Sequence, residues 1–428
     1  MEYTDAIAYI NDKSKFGSRP GLKSIGKLLE LLDNPQKGLK FIHVAGTNGK
    51  GSTSAYLSNC IQEAGYKVGL FTSPYLERFN ERIQINSKDI PSDVLGSLTS
   101  QVKDGANKMV EEGFQHPTTF EIITAIAFLY FRKEKAEYVV LEVGLGGRYD
   151  ATNIIDTSLA SIITTIDYDH INVLGNSLKK IAYEKAGIIK ENGLVISYPQ
   201  KKEALEELKD ISEQMSADFY LSPDIDIVEE NQYGSIFNYN YSGQSLNNIK
   251  ISMIGEYQIY NAALAISTLW ILREKGLINI DNKHIYQGLS KTRWKGRLEV
   301  LKRDPIFLID GAHNIQGINN LAEALKLFNY KSLILGIAIL GDKDVDNMID
   351  ALVPLADTII STEVNMPRSL KAEELASKMK SYEKDVYIEK NIKRSIEKAY
   401  DLASKEDLII FGGSLYLIGE VRTLVNLL

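Results

Sequence analysis

The segment that most constrains this chain is His43-Val44-Ala45-Gly46-Thr47-Asn48-Gly49-Lys50-Gly51-Ser52. A β-rich run from Leu39 to Ala45 enters it, and an amphipathic stretch from about Ser52 to Glu63 leaves it. The order is strand, phosphate loop, helix. Glycines let backbone N–H groups close around phosphate oxygens, Lys50 adds a point charge, and the helix N-terminus adds its dipole. The spacing departs from G-x4-G-K-[ST]: Gly46 stands three residues before Gly49, and Gly51 separates Lys50 from the Ser52 hydroxyl. That departure argues against an ordinary GTPase or kinase loop. A lysine and a hydroxyl after a strand favour a phosphate cradle over a bare structural turn.

Bulk properties narrow the setting. At 428 residues, two or three domains are expected. A chain 44% hydrophobic and 25% charged has the composition of an ordinary globular protein. No apolar run reaches the ~18–20 residues of a membrane span. Residues 1–20 carry charges throughout, so no secretory signal is expected. The sole cysteine, Cys60, cannot form an internal disulfide and reads as a small buried side chain in the helix after the loop. These points predict a cytoplasmic protein with no membrane partner, and a monomer, since no heptad or long apolar stripe is evident. The net charge of −7 argues against nucleic-acid binding, which needs a basic stripe. Attraction for anions must then be local, and Lys50, Arg78, Arg82 and Arg148 all fall in motif-like loops.

Along the first half, strand-like runs (39–45, 67–71, 137–143, 159–165, 193–197) alternate with helix-like ones (52–64, 93–111, 119–133, 178–189). This alternation predicts an α/β domain with a largely parallel sheet. Residues 225–254 read as antiparallel hairpins on its edge, followed by a helix at about 257–274. Near Lys291–Arg297 the pattern restarts, with strand candidates at 306–310, 333–339, 357–361, 385–388 and 408–412 and helices such as 317–328 and 390–404. The expected division is a domain over 1–293, a linker at 294–298 and a smaller α/β domain over 299–428, with ligands in a cleft between them.

Several polar loops follow predicted strands. They are Thr72-Ser73-Pro74 running on to Arg82, Glu142-Val143-Gly144-Leu145-Gly146-Gly147-Arg148-Tyr149-Asp150, and Asp167-Tyr168-Asp169-His170. A carboxylate, an imidazole and a hydroxyl at successive strand ends can converge on one hard cation beside the phosphates. Ser177 can cap the helix that carries Lys185, and Lys185 by itself reads as a solvated lysine. Asp310 and His313 either face the cleft or belong to a helix cap formed by Asp310 or Asn314; the residues alone do not choose.

Taken in order, Gly46 to Ser52, Thr72-Ser73-Pro74, Glu142 to Arg148, Asp169-His170, Glu184-Lys185-Ala186-Gly187 and Asp310-Gly311-Ala312-His313-Asn314 form a set. The chain closely resembles the folylpolyglutamate synthase and bifunctional dihydrofolate synthase family of the Mur ligase superfamily, over about residues 1 to 425. The resemblance implies a phosphate-loop ATPase domain and a Rossmann-like second domain. It also implies an ATP-dependent ligase that joins L-glutamate to a folate or dihydropteroate carboxylate through an acyl phosphate. It further implies ATP contacts at Thr47, Asn48, Gly49, Lys50, Gly51, Ser52, Asn261, Arg297 and Asp310, with His313 near the phosphates. Ser73, Glu142 and His170 match Mg²⁺ ligands, and Lys185 matches a carbamylated lysine, which reverses its reading as a solvated side chain. The pterin end is expected near Thr118, Thr119, Phe120 and Glu121, with Arg82 and Asp150 also toward the substrate. Phe120 either stacks on the ring or is the first core residue of its helix.

One departure is Lys295 in Trp294-Lys295-Gly296-Arg297, where the family usually has proline, a stiffer residue. Two rivals are weaker. A cell-wall ligase of the same superfamily would need a domain before the loop, and only 45 residues precede Gly46. A nucleotide-binding regulator without turnover would have no use for Lys50, Glu142, His170 and Lys185 together.

Overall fold

The computed structural model describes residues 1–13 and 21–427, so part of the charged N-terminal stretch, residues 14–20, lies outside the described residues. The chain divides into two compact units. One comprises Met1–Ile225, Tyr239–Ile249 and Tyr260–Thr292; the other comprises Asp226–Asn238, Lys250–Ile259 and Arg293–Leu428.

The first unit is built on β1 (Phe41–Ala45), β2 (Val68–Phe71), β3 (Ile83–Ile85), β4 (Lys88–Asp89), β5 (Tyr138–Glu142), β6 (Ala160–Ile163), β7 (Leu194–Ser197) and β8 (Asp218–Leu221). Their order in the sheet is β4-β3-β2-β5-β1-β6-β7-β8. Only β3 and β4 run antiparallel to their neighbours, which agrees with the largely parallel sheet expected. Every residue of β1 and β5 is buried, as unbroken apolar runs covered on both faces must be. The helix Thr119–Lys133 packs against this sheet, with Phe128 edge-on to Phe41 at 5.6 Å between ring centroids. The helix predicted at 178–189 ends earlier, at Ala186, where Gly187 follows; Ile188 and Ile189 are buried beyond its end. The helices Tyr3–Asp12, Lys23–Leu31 and Lys202–Gln214 add to the predicted set.

Residues 225–251 form β9 (Ile225–Asn231), β10 (Gly234–Tyr241) and β11 (Gln244–Ile251), in the order β11-β10-β9. Positive φ at both Ser242 (49°) and Gly243 (78°) makes the two-residue turn of a hairpin. The hairpin expectation therefore stands, but these strands make a sheet of their own and do not extend the edge of the large one.

In the second unit β12 (Glu299–Arg303), β13 (Ile306–Ile309), β14 (Leu333–Ile337), β15 (Thr358–Ser361), β16 (Asp385–Ile388) and β17 (Leu408–Gly412) pair in the order β12-β13-β17-β14-β15-β16. All pairings are parallel except that of β12 with β13. Phe307 and Phe411 stack face to face on adjacent strands, 5.5 Å apart. Among the described residues no helix is long and apolar enough to cross a membrane.

Candidate active site

Four neighbouring parallel strands of the first unit fix where the motifs emerge. Phe71 stands opposite Leu141, Val44 opposite Glu142, and Ala45 opposite Ile163. Ser73, Glu142, the glycine-rich loop and Thr164 to His170 therefore leave one edge of the sheet together, at the carboxyl ends of β2, β5, β1 and β6. In parallel sheets that edge is where ligands bind.

The loop is pinned from β6. The Thr47 N–H donates to the Thr165 carbonyl at 2.6 Å, and the Thr164 and Thr165 hydroxyls donate to the Asn48 carbonyl at 2.7 and 3.2 Å. Thr47 Oγ1 donates to the Asp167 carbonyl at 3.0 Å. Gly49 has φ +85° and starts the helix Lys50–Glu63; a Cβ there would lie 2.4 Å from Asn261 Oδ1. Asn261, matched to a nucleotide contact, thus lies beside the loop at Gly49. Lys50 Nζ reaches back to the Gly46 and Thr47 carbonyls at 3.0 Å each. Ser52 is buried in the first turn of the helix.

Lys185 is not the solvated side chain its local sequence suggests. It is 3% exposed and donates from Nζ to the Gly46 carbonyl at 2.8 Å. Burial, helped by the charge of Lys50, pushes its pKa well below the ordinary lysine value against the opposing pull of Asp169. A lowered pKa favours the uncharged, nucleophilic form of the amine. Its helix is capped as expected, Ser177 Oγ accepting from the Lys180 N–H at 3.3 Å. Glu142 is buried and its Oε2 accepts the Ser73 N–H at 2.9 Å. His170 takes the left-handed conformation (φ +50°), with Nε2 3.9 Å from Asp169 Oδ1. No cluster of three His, Cys, Asp or Glu side chains suited to a metal occurs among the described residues. One carboxylate with a hydroxyl and an imidazole is a donor set that suits a cation taking its remaining ligands from water and phosphate, as Mg²⁺ does.

Beside this edge lies a cavity of about 540 Å³, lined in part by Ser73, Arg82, Thr118, Phe120, Glu121 and Asp150. Five of the six residues assigned to the substrate therefore share one space. Thr119 is not in its lining, and its hydroxyl donates to the Ile10 carbonyl at 3.3 Å. Phe120 stands at the core margin, its ring 5.9 Å from that of Phe71, and also forms cavity wall against Gly144, where a Cβ would meet Phe120 Cζ at 2.5 Å. Glu121 accepts the Thr118 N–H at 2.7 Å and completes a capping box with Thr118, a signal (T-x-x-E before an apolar run) present in the sequence. Arg82 stacks on Tyr75 and Phe79, its guanidinium 5.0 and 5.6 Å from their ring centroids. Tyr149, inside the Glu142–Asp150 loop but not singled out there, and Val173, which no motif contains, also line the cavity although both are exposed.

In the second unit Asp310 is buried and accepts the Leu298 and Ala312 N–H groups at 2.7 and 2.8 Å. Burial raises its pKa and the Arg297 charge opposes that rise. Asn314, not Asp310, caps the following helix, accepting from the Gly317 N–H at 2.9 Å. His313 Nδ1 lies 2.9 Å from the Gly311 carbonyl.

Comparison with known proteins gives the family and the fold. The family model described as the Mur ligase middle domain matches residues 44–269, and the one described as the Mur ligase, glutamate ligase domain matches residues 296–415. The dihydrofolate synthase/folylpolyglutamate synthase of Bacillus subtilis is 37% identical over 429 residues, covering 98% of each chain. A folylpolyglutamate synthase of Mycobacterium tuberculosis, solved with ADP and AMPPCP, superposes with a TM-score of 0.90 at 29% identity over 99% of both chains. E. coli FolC, solved with DHPP and ADP, superposes with a TM-score of 0.87 at 25% identity, over 99% of this chain and 98% of its own.

Proposed function

Since the chain belongs to the folylpolyglutamate synthase/dihydrofolate synthase family of Mur ligases, we propose that it uses ATP to join L-glutamate to the carboxylate of tetrahydrofolate and its polyglutamates. The observation that supports this best is the shared sheet edge, where a pinned phosphate loop and the 540 Å³ cavity lie beside one another.

On this reading the loop N–H groups and Lys50 hold the ATP phosphates, and Asn261 orders the loop at Gly49. The acceptor lies along the 540 Å³ cavity with its heterocycle against Phe120 and its carboxylate toward the loop. Transfer of the γ-phosphoryl group to that carboxylate gives an acyl phosphate; the glutamate amine attacks it and phosphate leaves. A trianionic group in transfer needs positioning and positive charge more than covalent help. Glu142, Ser73 and His170 would hold Mg²⁺, which would neutralise phosphate charge. The uncharged amine of Lys185 is the form that captures CO₂, and the resulting carbamate would be a further anionic ligand on this edge. We assign Arg297, Asp310 and His313 to the nucleotide and keep the division into 1–293, 294–298 and 299–428 as the functional one.

The test is mass spectrometry of products formed from MgATP, L-glutamate and either tetrahydrofolate or dihydropteroate. Glutamate added to tetrahydrofolate alone identifies a dedicated polyglutamate synthase, and addition to both identifies a bifunctional enzyme. Extension of neither overturns the folate reading.

A further inference from the structure

On the ligase reading above, we propose that His43 and Thr152 are positioning residues. They hold the Asp150 carboxylate, and through it the Gly144–Gly147 wall of the acceptor cavity, against the strand that feeds the phosphate loop. Neither residue lines the cavity. His43 is fully buried in β1, three residues before Gly46, and its Nε2 lies 2.8 Å from Thr152 Oγ1. Thr152, also fully buried, donates from Oγ1 to Asp150 Oδ1 at 2.6 Å. Asp150 Oδ1 takes the Thr152 N–H as well, at 3.0 Å, and Oδ2 takes the N–H of Leu145 in the cavity wall at 2.9 Å.

The partners fix the direction of the relay. Three donors, the Leu145 N–H on Oδ2 and the Thr152 N–H and hydroxyl on Oδ1, favour the ionised, acceptor-only form of Asp150 against the opposing effect of burial. The Thr152 proton then points to Asp150, and its oxygen is left to accept from His43 Nε2–H. That places the bare lone pair of the imidazole on Nδ1, which is buried with no hydrogen-bond partner among the described residues. Burial, with the Lys190 charge adding to it, lowers the His43 pKa to about 3, so the ring stays neutral. An apolar side chain at position 43 would avoid the unpaired acceptor and suit a buried strand. A histidine there makes sense only through the directed bond it supplies to Thr152.

Burial raises the Asp150 pKa while its hydrogen bonds hold it down, so each donor lost lets the carboxylate drift toward the protonated form. A protonated Asp150 grips the Leu145 N–H less firmly and the wall loosens. The relay thus joins two ligand sites through one strand: β1 carries His43 into the wall's support and Gly46 into the phosphate loop.

The test uses the full-length protein and four variants: Thr152→Val and His43→Phe, which break the relay, and Thr152→Ser and His43→Gln, which keep a hydroxyl or an N–H donor. Two quantities are read: KM for the folate acceptor and for ATP, and hydrogen exchange of the Leu145 amide. The breaking variants are expected to raise the acceptor KM about tenfold, the worth of one buried hydrogen bond, while the ATP KM stays within about twofold. Leu145 exchange should quicken about tenfold in both, and the conservative variants should restore both readouts. Equal rises in both KM values, no rescue by serine or glutamine, or unchanged Leu145 exchange would overturn the relay. Wild-type protein that extends no folate acceptor would overturn the ligase reading instead, and the exchange measurement then still decides the relay.

Discussion

The His43 ring makes a prediction about acid stability that can be worked from its surroundings. In the unfolded chain the imidazole takes up a proton near pH 6.5, whereas in the native protein burial and Lys190 delay this to about pH 3. Between those values the unfolded state binds a proton that the native state does not, so stability falls as the pH falls. The loss is about 1.4 kcal/mol per pH unit, or about 5 kcal/mol over the whole window, and it stops growing below the native pKa. His43→Gln removes the titration and keeps an N–H donor. Between pH 6.5 and 4.5, wild-type protein should therefore lose about 2 kcal/mol more than the variant, because every other titrating group is common to both. Urea unfolding followed by fluorescence reads this out. Trp270 belongs to the first unit and Trp294 to the second, so a Trp294→Phe background isolates the unit of interest. Parallel stability curves for the two proteins would show that His43 gains its proton in the native state as readily as in the unfolded one. That result would refute both the neutral ring and the direction assigned to the relay.

Four further outcomes are expected. Gly49→Ala places a Cβ 2.4 Å from Asn261 Oδ1 at φ +85°; it should cost about 1–3 kcal/mol of stability and weaken nucleotide binding at least about tenfold by calorimetry. Lys185→Ala should abolish ligation while nucleotide affinity stays within about threefold, and undiminished turnover would remove Lys185 from the chemistry. Phe120→Ala should weaken binding of the folate acceptor about tenfold or more with little change for ATP, whereas equal losses would point to folding. Lys190, whose pKa burial lowers to about 8, leaves the unfolded state with more bound protons between that value and 10.5, so wild-type stability should rise with pH there. Lys190→Met should lack that rise, about 2 kcal/mol after allowance for partial exposure, in urea titrations at pH 8 and pH 10.5.

How far the sequence could be read depended on whether a feature was local. Phe41–Ala45 and Thr119–Lys133 were legible because apolar spacing and flanking turn residues are neighbours in the chain. The Ile25, Leu28, Leu29 and Ala204, Leu208, Ile211 spacings carry the same signal for the helices Lys23–Leu31 and Lys202–Gln214. β12 was hidden for a different reason. Its Glu299, Lys302 and Arg303 are charges an edge strand tolerates, and they mask its pairing with β13. Lys185 shows the limit most plainly. Its burial comes from contact with Gly46, 139 residues away, and no local pattern distinguishes such a lysine from a solvated one. The resemblance to a known family pointed to Lys185; the structure adds that it is buried, bonded to Gly46 and lowered in pKa. The support of Asp150 by Thr152 and His43 was equally out of reach, since it depends on β1 passing beneath the short helix Ala151–Ile154.

The pins on the phosphate loop have a consequence for the order of events during synthesis. Thr47 and Asn48 are held by Thr164, Thr165 and Asp167, which leave the ribosome almost 120 residues later. At about 5–20 residues per second, that separation is a delay of roughly 6–24 seconds. For that interval the glycine-rich segment has its own strand and helix but nothing across from it to set its shape. Nucleotide capture is therefore a late property of the nascent chain. A chain arrested before β6 would carry the complete Gly46–Ser52 motif and bind no phosphate.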